Sequence, residues 1–246
     1  MTISEQSIGT KNESSLHRSL KYYYADQGNT ETTKAGYVCD AIGTDGEVIE
    51  IQTGNFCALK KKIPALAKSG KVRLIYPVIV KKTIELYSPE GKLLSRRKSP
   101  KKGTILNIFD ELVYVPELLK LKNLVIEIIY VDAIERRRND GKGSWRRKGV
   151  SIEDKILENH RNGIVLKKKS DWLEHFLPLK DQCSTKALAE AAKISPEEAR
   201  KIIYTLEKAG FLEKTQKQGR SWLYRIVVKN KKKPDHRLSD QALLVN

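Results

Sequence analysis

Cysteine is scarce in this chain of 246 residues. Cys39, Cys57 and Cys183 are too few and too scattered for a disulfide framework or a zinc site, and an odd number of isolated thiols fits a reducing cytosol. Cys39 falls in an apolar strand and Cys57 at a helix start, so both read as small core residues. His17, His160, His175 and His236 show no ligand spacing, which argues against zinc. No apolar run reaches the roughly 20 residues of a membrane-spanning helix. The opening Met1-Thr2-Ile3-Ser4-Glu5-Gln6 lacks the basic-then-apolar order of a secretion signal. A soluble, cytoplasmic protein with no membrane partner is the expectation.

Acidic residues are also short. There are 30 Asp and Glu against 47 Lys and Arg, a formal charge of +17 at pH 7. Such a chain repels itself unless a polyanion or counterions screen it, so nucleic acid is the first partner to consider. With 39% hydrophobic residues it can still bury a core, and its length allows one large domain or two modest ones.

What is present begins with a polar arm over 1–12, followed by a helix from Glu13 to Ala25, with Asn12 as cap and Leu16, Leu20, Tyr23 and Tyr24 at helical spacing. Glu13 then lies in the first turn. Two short runs rich in β-branched residues, Gly36 to Ile42 and Glu47 to Gly54, flank an Asp45-Gly46 turn signal and read as a hairpin. Alternation puts Glu50 and Gln52 on one face with Val48, and Ile49 and Ile51 on the other. Asp40, near the end of the first strand, reaches the same edge. Hard oxygen ligands of this kind suit Mg²⁺ or Mn²⁺, which take a few carboxylates together with water and substrate phosphate.

Asn55 is the expected cap of a following helix through Phe56, Leu59, Ile63, Leu66 and Ala67, which Pro64 kinks or shortens. Lys71 to Val80 has the density of a buried strand, with Thr83 to Tyr87 as its hairpin neighbour. Thr104 to Tyr114 and Pro116 to Leu121 read as helical, and Asn123 to Ile134 as another central strand. The order is mixed α/β. At Arg136 to Lys148 the composition breaks, with seven of thirteen residues Arg or Lys and glycine at 141, 143 and 149. That run reads as a linker or basic loop, with a second domain beginning near Val150.

At Glu13, Asp40 and Glu50-Ile51-Gln52 the chain resembles the restriction-endonuclease-like superfamily, the PD-(D/E)xK nucleases. The resemblance covers about Glu13 to Ile134. It implies a mixed sheet flanked by helices and metal-dependent hydrolysis of a phosphodiester. Asp40 and Glu50 are then the metal ligands, Gln52 positions water, and Glu13 is an outer or second-metal acid. Gln52 stands where that family usually has lysine. A neutral amide orients water but supplies no positive charge, and Lys60 or Lys62 on the following helix is the candidate replacement.

Further on, Ser184 opens a helix to Lys193, and Ser195-Pro196-Glu197-Glu198 opens a second, with Ala199, Ile202, Ile203, Leu206 and Ala209 as its apolar face and Gly210 as its stop. Phe211 to Lys214 and Trp222 to Val227 follow as strands. The layout and the phrase Tyr204 to Leu212 resemble a winged helix-turn-helix. That resemblance implies that Lys201, Tyr204 and Thr205 face a DNA groove while Lys217 and Arg220 touch phosphates. Arg96, Arg97, Lys98, Lys101 and Lys102 form one basic run, and Arg136, Arg137, Arg138, Arg146 and Arg147 belong to another, which includes Trp145 as a base-stacking aromatic.

The expected architecture is therefore an α/β restriction-endonuclease-like domain over 13–140, a basic loop and helical connector over 141–182, a winged helix over 183–230 and a polar tail over 231–246. The expected activity is Mg²⁺-dependent cleavage of DNA. An endonuclease that cuts transposon ends, with the same nuclease-then-winged-helix order, is an analogue by architecture only. The rival readings are a non-catalytic DNA-binding regulator on a degenerate nuclease fold and an assembly factor whose winged helix holds a protein partner or a second copy.

Overall fold

Helix α1 (Ser15–Tyr24) starts where the Ser14 hydroxyl accepts a hydrogen bond from the His17 amide at 3.3 Å. This satisfies one of the N–H groups that a helix start leaves unpaired. The computed structural model describes residues 13–25, 29–178 and 182–227. The Asn12 cap, the arm over 1–12 and the tail over 231–246 lie outside those residues. Glu13 stands just before the helix rather than in its first turn, because Ser14 takes the capping position.

After α1 come β1 (Thr30–Lys34), β2 (Tyr37–Ile42) and β3 (Val48–Ile51), then a 3-10 turn over Phe56–Ala58 and helix α2 (Leu59–Ser69). Strand β4 (Val72–Tyr87) and β5 (Leu93–Lys98) lead to helix α3 (Ile108–Leu112), a 3-10 turn over Pro116–Lys120, β6 (Leu124–Arg138) and β7 (Ser151–Leu166). The sheet order is β1-β2-β3-β4-β6-β7, and β5 hydrogen-bonds to the far half of β4. Strands β3, β4 and β6 run parallel and the remaining pairs are antiparallel. The fold is α/β, a mixed sheet flanked by helices.

The β2–β3 hairpin forms as its turn signal predicts, with Ala41 opposite Ile49, Ile42 opposite Val48 and Gly46 at φ 67°. Three expectations give way. Residues 72–87 form one strand, since Lys81-Lys82-Thr83 offers no turn chemistry, and the hairpin partner of β4 is β5. Asn55 makes no side-chain cap. It sits at φ 56°, and the Phe56 amide is taken instead by the Glu111 carboxylate of α3 at 3.0 Å. Finally, the basic run from Arg136 does not end the domain. Arg136 to Arg138 finish β6, and residues 151–166 return antiparallel along it as β7, so the sheet extends to Leu166 rather than stopping near 140. Pro64 sits inside α2, which still runs to Ser69.

Alternation sorts the core into two clusters. Val48, Leu74, Ile126 and Ile128 face α2 and α3, packing with Ile63, Leu66, Phe109 and Leu112. Ile49, Ile51, Ile75, Ile129 and Val131 face the other way, toward Leu16 and Leu20 of α1. Glu50 therefore shares the α2 side with Val48.

Beyond β7 lie α4 (Lys169–Phe176), β8 (Gln182–Cys183), α5 (Thr185–Ala192), α6 (Pro196–Lys208), β9 (Leu212–Gln218) and β10 (Ser221–Ile226). The three strands form a second sheet in the order β8-β10-β9. Ser184 caps α5, accepting the Ala187 amide at 3.1 Å, while Ser195 and Glu198 make the reciprocal capping box of α6. Gly210, at φ 75°, ends that helix region as read from the sequence. This segment is not tethered loosely. Trp172 and Phe176 of α4 pack edge-on against Phe109 of α3 at 6.1 and 4.8 Å between centroids, and one continuous core runs from Val48 to Leu206. Among the described residues no helix is long and apolar enough to cross a membrane.

Candidate active site

Strands β2 and β3 pair at Ala41–Ile49 and Ile42–Val48, and just beyond that pairing Asp40 reaches across to β3. Its Oδ2 accepts the Ile51 amide at 2.8 Å, a side-chain oxygen taking a donor of the neighbouring strand. One residue back on β3, Glu50 is almost fully buried, at 2% exposure. Lys62 of α2 places its Nζ 2.6 Å from Oε1 and 2.7 Å from Oε2 of that carboxylate. The sequence places a strand carboxylate before a helix with three consecutive lysines; the fold selects Lys62.

The two carboxylates are driven apart in acidity. Burial, and after it the Asp40 charge, pushes Glu50 up to about 7 despite Lys62. Burial works against Asp40 as well, but the His17 hydrogen bond and charge, the Ile51 amide and Lys62 outweigh it and hold Asp40 below the ordinary carboxylate range. His17 itself pays for burial, yet Asp40 and Glu13 raise its pKa.

Glu13 joins this site through His17. The imidazole Nδ1 is 2.8 Å from Glu13 Oε1 and Nε2 is 3.2 Å from Asp40 Oδ2, while Lys21 lies 2.9 Å from the same Glu13 oxygen. Positions 13, 17 and 21 recur at helical spacing, so the carboxylate-imidazole chain is carried by the i, i+4 pattern of the sequence and not by metal-ligand spacing. Gln52 lies at the end of β3, its amide donating to the Ile75 carbonyl at 2.9 Å. Its side-chain nitrogen donates to the carbonyls of Gly54 and Asn55, shaping the loop that leads to α2. Gln52, Glu13, His17 and Asp154 share the wall of an open cavity of about 490 Å³. A second cavity of about 470 Å³ shares Glu13, Glu153 and Asp154 with it and adds Arg18, Arg136 and Arg138.

Whether a divalent ion suits this donor set follows from its chemistry. Among the described residues no three His, Cys, Asp or Glu side chains are grouped so as to hold a metal ion. Mg²⁺ does not need three, because it keeps water and takes one or two carboxylates with substrate phosphate. Glu50 already holds a cation, the Lys62 ammonium, and the Lys62 charge also acts on Asp40. As they stand, Glu50 is shielded from solvent and neutralised by Lys62, so an ion shared with Asp40 requires that lysine to yield.

The expected nucleic-acid contacts divide by what they already touch. Arg96, Arg97 and Lys98 lie on the wholly exposed edge strand β5, with Lys101 and Lys102 exposed beyond it. Arg96 leans on Glu85 at 3.2 Å, and Arg136 lies 3.5 Å from the same carboxylate. Arg137 is held by Glu135 and Arg138 by Glu153, so these two charges are largely spent within the sheet. Trp145 and Arg146 stand exposed in the β6–β7 loop, whereas the Arg147 Nε donates to the Val150 carbonyl.

In α6 the expected groove-facing set is corrected. Thr205 is fully buried, and Lys201 is paired with Asp110 of α3 at 2.8 Å and with Glu197 at 2.9 Å, because that side of α6 packs on the first sheet's helices. The exposed stripe is Arg200, Tyr204 and Lys208, with the Lys208 ammonium 5.8 Å from the Tyr204 ring. Lys217 and Arg220 are exposed at the β9–β10 turn, and Lys217 lies over Trp222 at 5.2 Å.

The chain belongs to the family described as Domain of unknown function (DUF8091), whose model matches residues 14–167. That stretch ends one residue after β7, where the sheet ends. Residues 168–227 are similar to a second family, described as FaeA-like protein. A protein of Treponema pallidum (strain Nichols), described as an uncharacterized protein, is 28% identical over 220 residues, spanning 89% of this chain and 87% of its own. No solved structure matches the chain. Asp40, Glu50, Gln52, Lys62 and His17 all fall within the DUF8091 match, and Glu13 lies one residue before it. Helices α4 to α6 and the hairpin fall within the FaeA-like match.

Proposed function

We propose that this DUF8091 protein is a divalent-metal-dependent DNA endonuclease whose centre is Asp40, Glu50 and Lys62. The observation that carries this reading is the lysine from α2 seated on the Glu50 carboxylate beside Asp40. A positive charge thus arrives from the helix at the place where the strand supplies only Gln52.

Asp40 and Glu50 would hold the ion. When bound, it supplies Lewis-acid stabilisation of charge on a phosphoryl oxygen. The chain's own residues do the rest. Lys62 offsets negative charge gathering between the two carboxylates and a phosphate, and donates hydrogen bonds from a compact ammonium. His17, backed by Glu13, keeps Asp40 ionised and fixes its orientation. Gln52, its side-chain nitrogen committed to the Gly54 and Asn55 carbonyls, shapes the loop at the cavity wall. Glu13 acts through His17 rather than on the substrate.

The segment α4–β8–α5–α6–β9–β10 is read as a winged helix that binds duplex DNA. Its support is the strand order β8-β10-β9 behind two capped helices and the exposed Arg200–Tyr204–Lys208 stripe beside a basic hairpin turn. The excess of 17 positive charges favours a polyanionic substrate.

Incubating the chain with plasmid DNA and Mn²⁺ or Mg²⁺ tests the activity. Nicking or linearisation that is lost in Asp40→Asn, Glu50→Gln and Lys62→Met, each shown to be folded by circular dichroism, is the expected result. Cleavage that survives all three substitutions overturns the site. A second reading, a non-catalytic DNA-binding protein, is favoured by the completeness of the Glu50–Lys62 and Asp40–His17 pairs. Salt-sensitive DNA binding without cleavage under any divalent ion would select it.

A further inference from the structure

The connection between β6 and β7, residues 139–150, is built around one side chain. Trp145 is 83% exposed, more than any other large apolar residue described. The loop beneath it is tightly bonded. The Lys142 amide donates to Asp140 Oδ1 at 3.0 Å, the Gly143 amide to the Gly149 carbonyl at 2.7 Å, and the Lys148 amide to the Trp145 carbonyl at 3.0 Å. The Arg147 amide reaches the Ser144 carbonyl at 2.9 Å, and the Arg147 side chain ties to Val150 at 3.1 Å. Gly143 passes so close to Val150 that a Cβ there would lie 1.8 Å from its carbonyl oxygen. Lys148 and Gly149 both take left-handed conformations, at φ 51° and 80°. An indole on such a frame does not fold back into its own loop.

Its surroundings are cationic. Arg146 lies 5.5 Å from the Trp145 ring, and Lys142 and Lys148 are exposed beside it. The strand that leaves the loop leads to the cavities that Glu13 lines. Asp154 lines both cavities beside Glu13, and from Ser151 at the foot of the loop to Asp154 is three residues, about 10 Å of extended chain. Arg18, Arg136 and Arg138 line the second cavity, Arg138 paired there with Glu153. Two adjoining cavities of mixed charge, with Arg18 and Arg136 set among Glu13, Glu153 and Asp154, therefore lie between the foot of the Trp145 loop and the wall formed by Glu13, His17 and Gln52.

We propose that Trp145 is a stacking platform for an unpaired base, and that the DNA taken by this site carries a single-stranded segment. The proposal rests on the nuclease reading for what happens at Asp40 and Glu50. In an intact duplex every base face is already stacked on its neighbours, so a ring standing out from the protein meets only edges and backbone. An unstacked base offers its face, and an indole with a guanidinium alongside is the surface that takes it regardless of sequence. The neighbouring cations Arg146, Lys142 and Lys148 then hold the flanking phosphates. A membrane surface is the poorer fit, because Trp145 stands alone at the tip, whereas interfacial docking gains from a wider apolar face.

Binding measured in EDTA separates this proposal from cleavage. The probes are a fluorescent short duplex with an oligothymidine tail and the same duplex blunt-ended. Trp145→Ala is expected to weaken binding of the tailed probe by roughly 5- to 160-fold, the range of one base–aromatic stack, and to leave the blunt probe unchanged. Trp145→Phe restores most of the loss. Equal weakening of both probes, or no weakening of either, overturns the proposal. So does Trp145-dependent sedimentation with phosphatidylserine vesicles in a chain that shows no preference for the tail. If the tail preference depends on Trp145 but no divalent ion ever supports cleavage, the nuclease reading fails and the stacking site stands.

Discussion

The Lys62 ammonium lies 2.6 Å from Glu50 Oε1, joining a helix lysine to a strand carboxylate that is itself almost fully buried. Removing one partner leaves the other charge in a poorly solvated place. Lys62→Met is expected to cost about 1–3 kcal/mol of stability, and Glu50→Gln with Lys62→Met to recover most of that cost without recovering cleavage. Urea denaturation of the two single variants and the double variant measures the coupling. Additive losses would mean that the pair is not an interacting unit.

How much of this site was legible beforehand depends on the kind of signal. Asp40 and Glu50 stood out because a period of two and an Asp-Gly turn fix which residues share an edge of a hairpin. The helix lysine was visible only as one of several, since α2 carries Lys60, Lys61 and Lys62 together and only packing decides which reaches β3. His17 and Glu111 were missed for a different reason. Each is an ordinary polar residue on a helix, and its role comes from a partner 23 or 55 positions away, Asp40 and Phe56 respectively.

The fold shows the same division. Capping at Ser195 and Glu198 is local and was legible, as was the hairpin. Strand β7 was not, because Ser151 to Gly163 is polar and lies at the end of the sheet, where one side of the ladder is free and alternation is weak. Thr205 looked like a surface residue from its chemistry; it is buried because α6 packs against α3 as well as against its own module.

Divalent ions should stabilise the folded chain through Asp40 and Glu50 if these are the ligands. At about ten times the dissociation constant the linkage is worth roughly 1.4 kcal/mol, a rise of about 3–6 °C in Tm for a chain of this size. Thermal unfolding with and without Mn²⁺ checks this. A rise of equal size in Asp40→Asn and Glu50→Gln would place the ion elsewhere.

Acid should loosen α1 through Asp154. Its carboxylate accepts the Ser15 amide at 2.9 Å and the Ser15 hydroxyl at 2.5 Å. Burial raises its pKa, but these bonds and the Lys155 amide outweigh it and hold the group below its ordinary 3.8. A depressed acid stabilises the fold fully above its unfolded value, and that contribution fades as pH falls through the lower folded value. Stability of the wild type should therefore drop more steeply below about pH 4 than that of Asp154→Asn. Identical pH profiles from denaturant titrations would show that Asp154 contributes nothing through its charge.

The aromatic contact between the two segments predicts a single unfolding transition. Phe109 of α3 meets Trp172 and Phe176 of α4, all three at most 3% exposed, within one continuous core. Trp172→Ala is expected to cost about 3–5 kcal/mol and to uncouple the segments, splitting one calorimetric peak into two. Two well-separated peaks already present in the wild type would contradict a shared core.

On α6 the free cations are expected to bind phosphates in proportion to their exposure. Arg200 and Lys208 lie on the exposed stripe, whereas Lys201 is held by Asp110 and Glu197, whose hydrogen bonds raise its pKa. Each lost phosphate contact lowers the slope of log affinity against log salt by about 1. Arg200→Ala and Lys208→Ala should each flatten that slope on a blunt duplex, and Lys201→Ala should leave it nearly unchanged while slightly lowering stability. Salt titrations of binding decide the matter. A Lys201→Ala effect as large as that of Arg200→Ala would mean that the Asp110 pair opens when DNA arrives, and that the buried side of α6, not its exposed stripe, meets the groove.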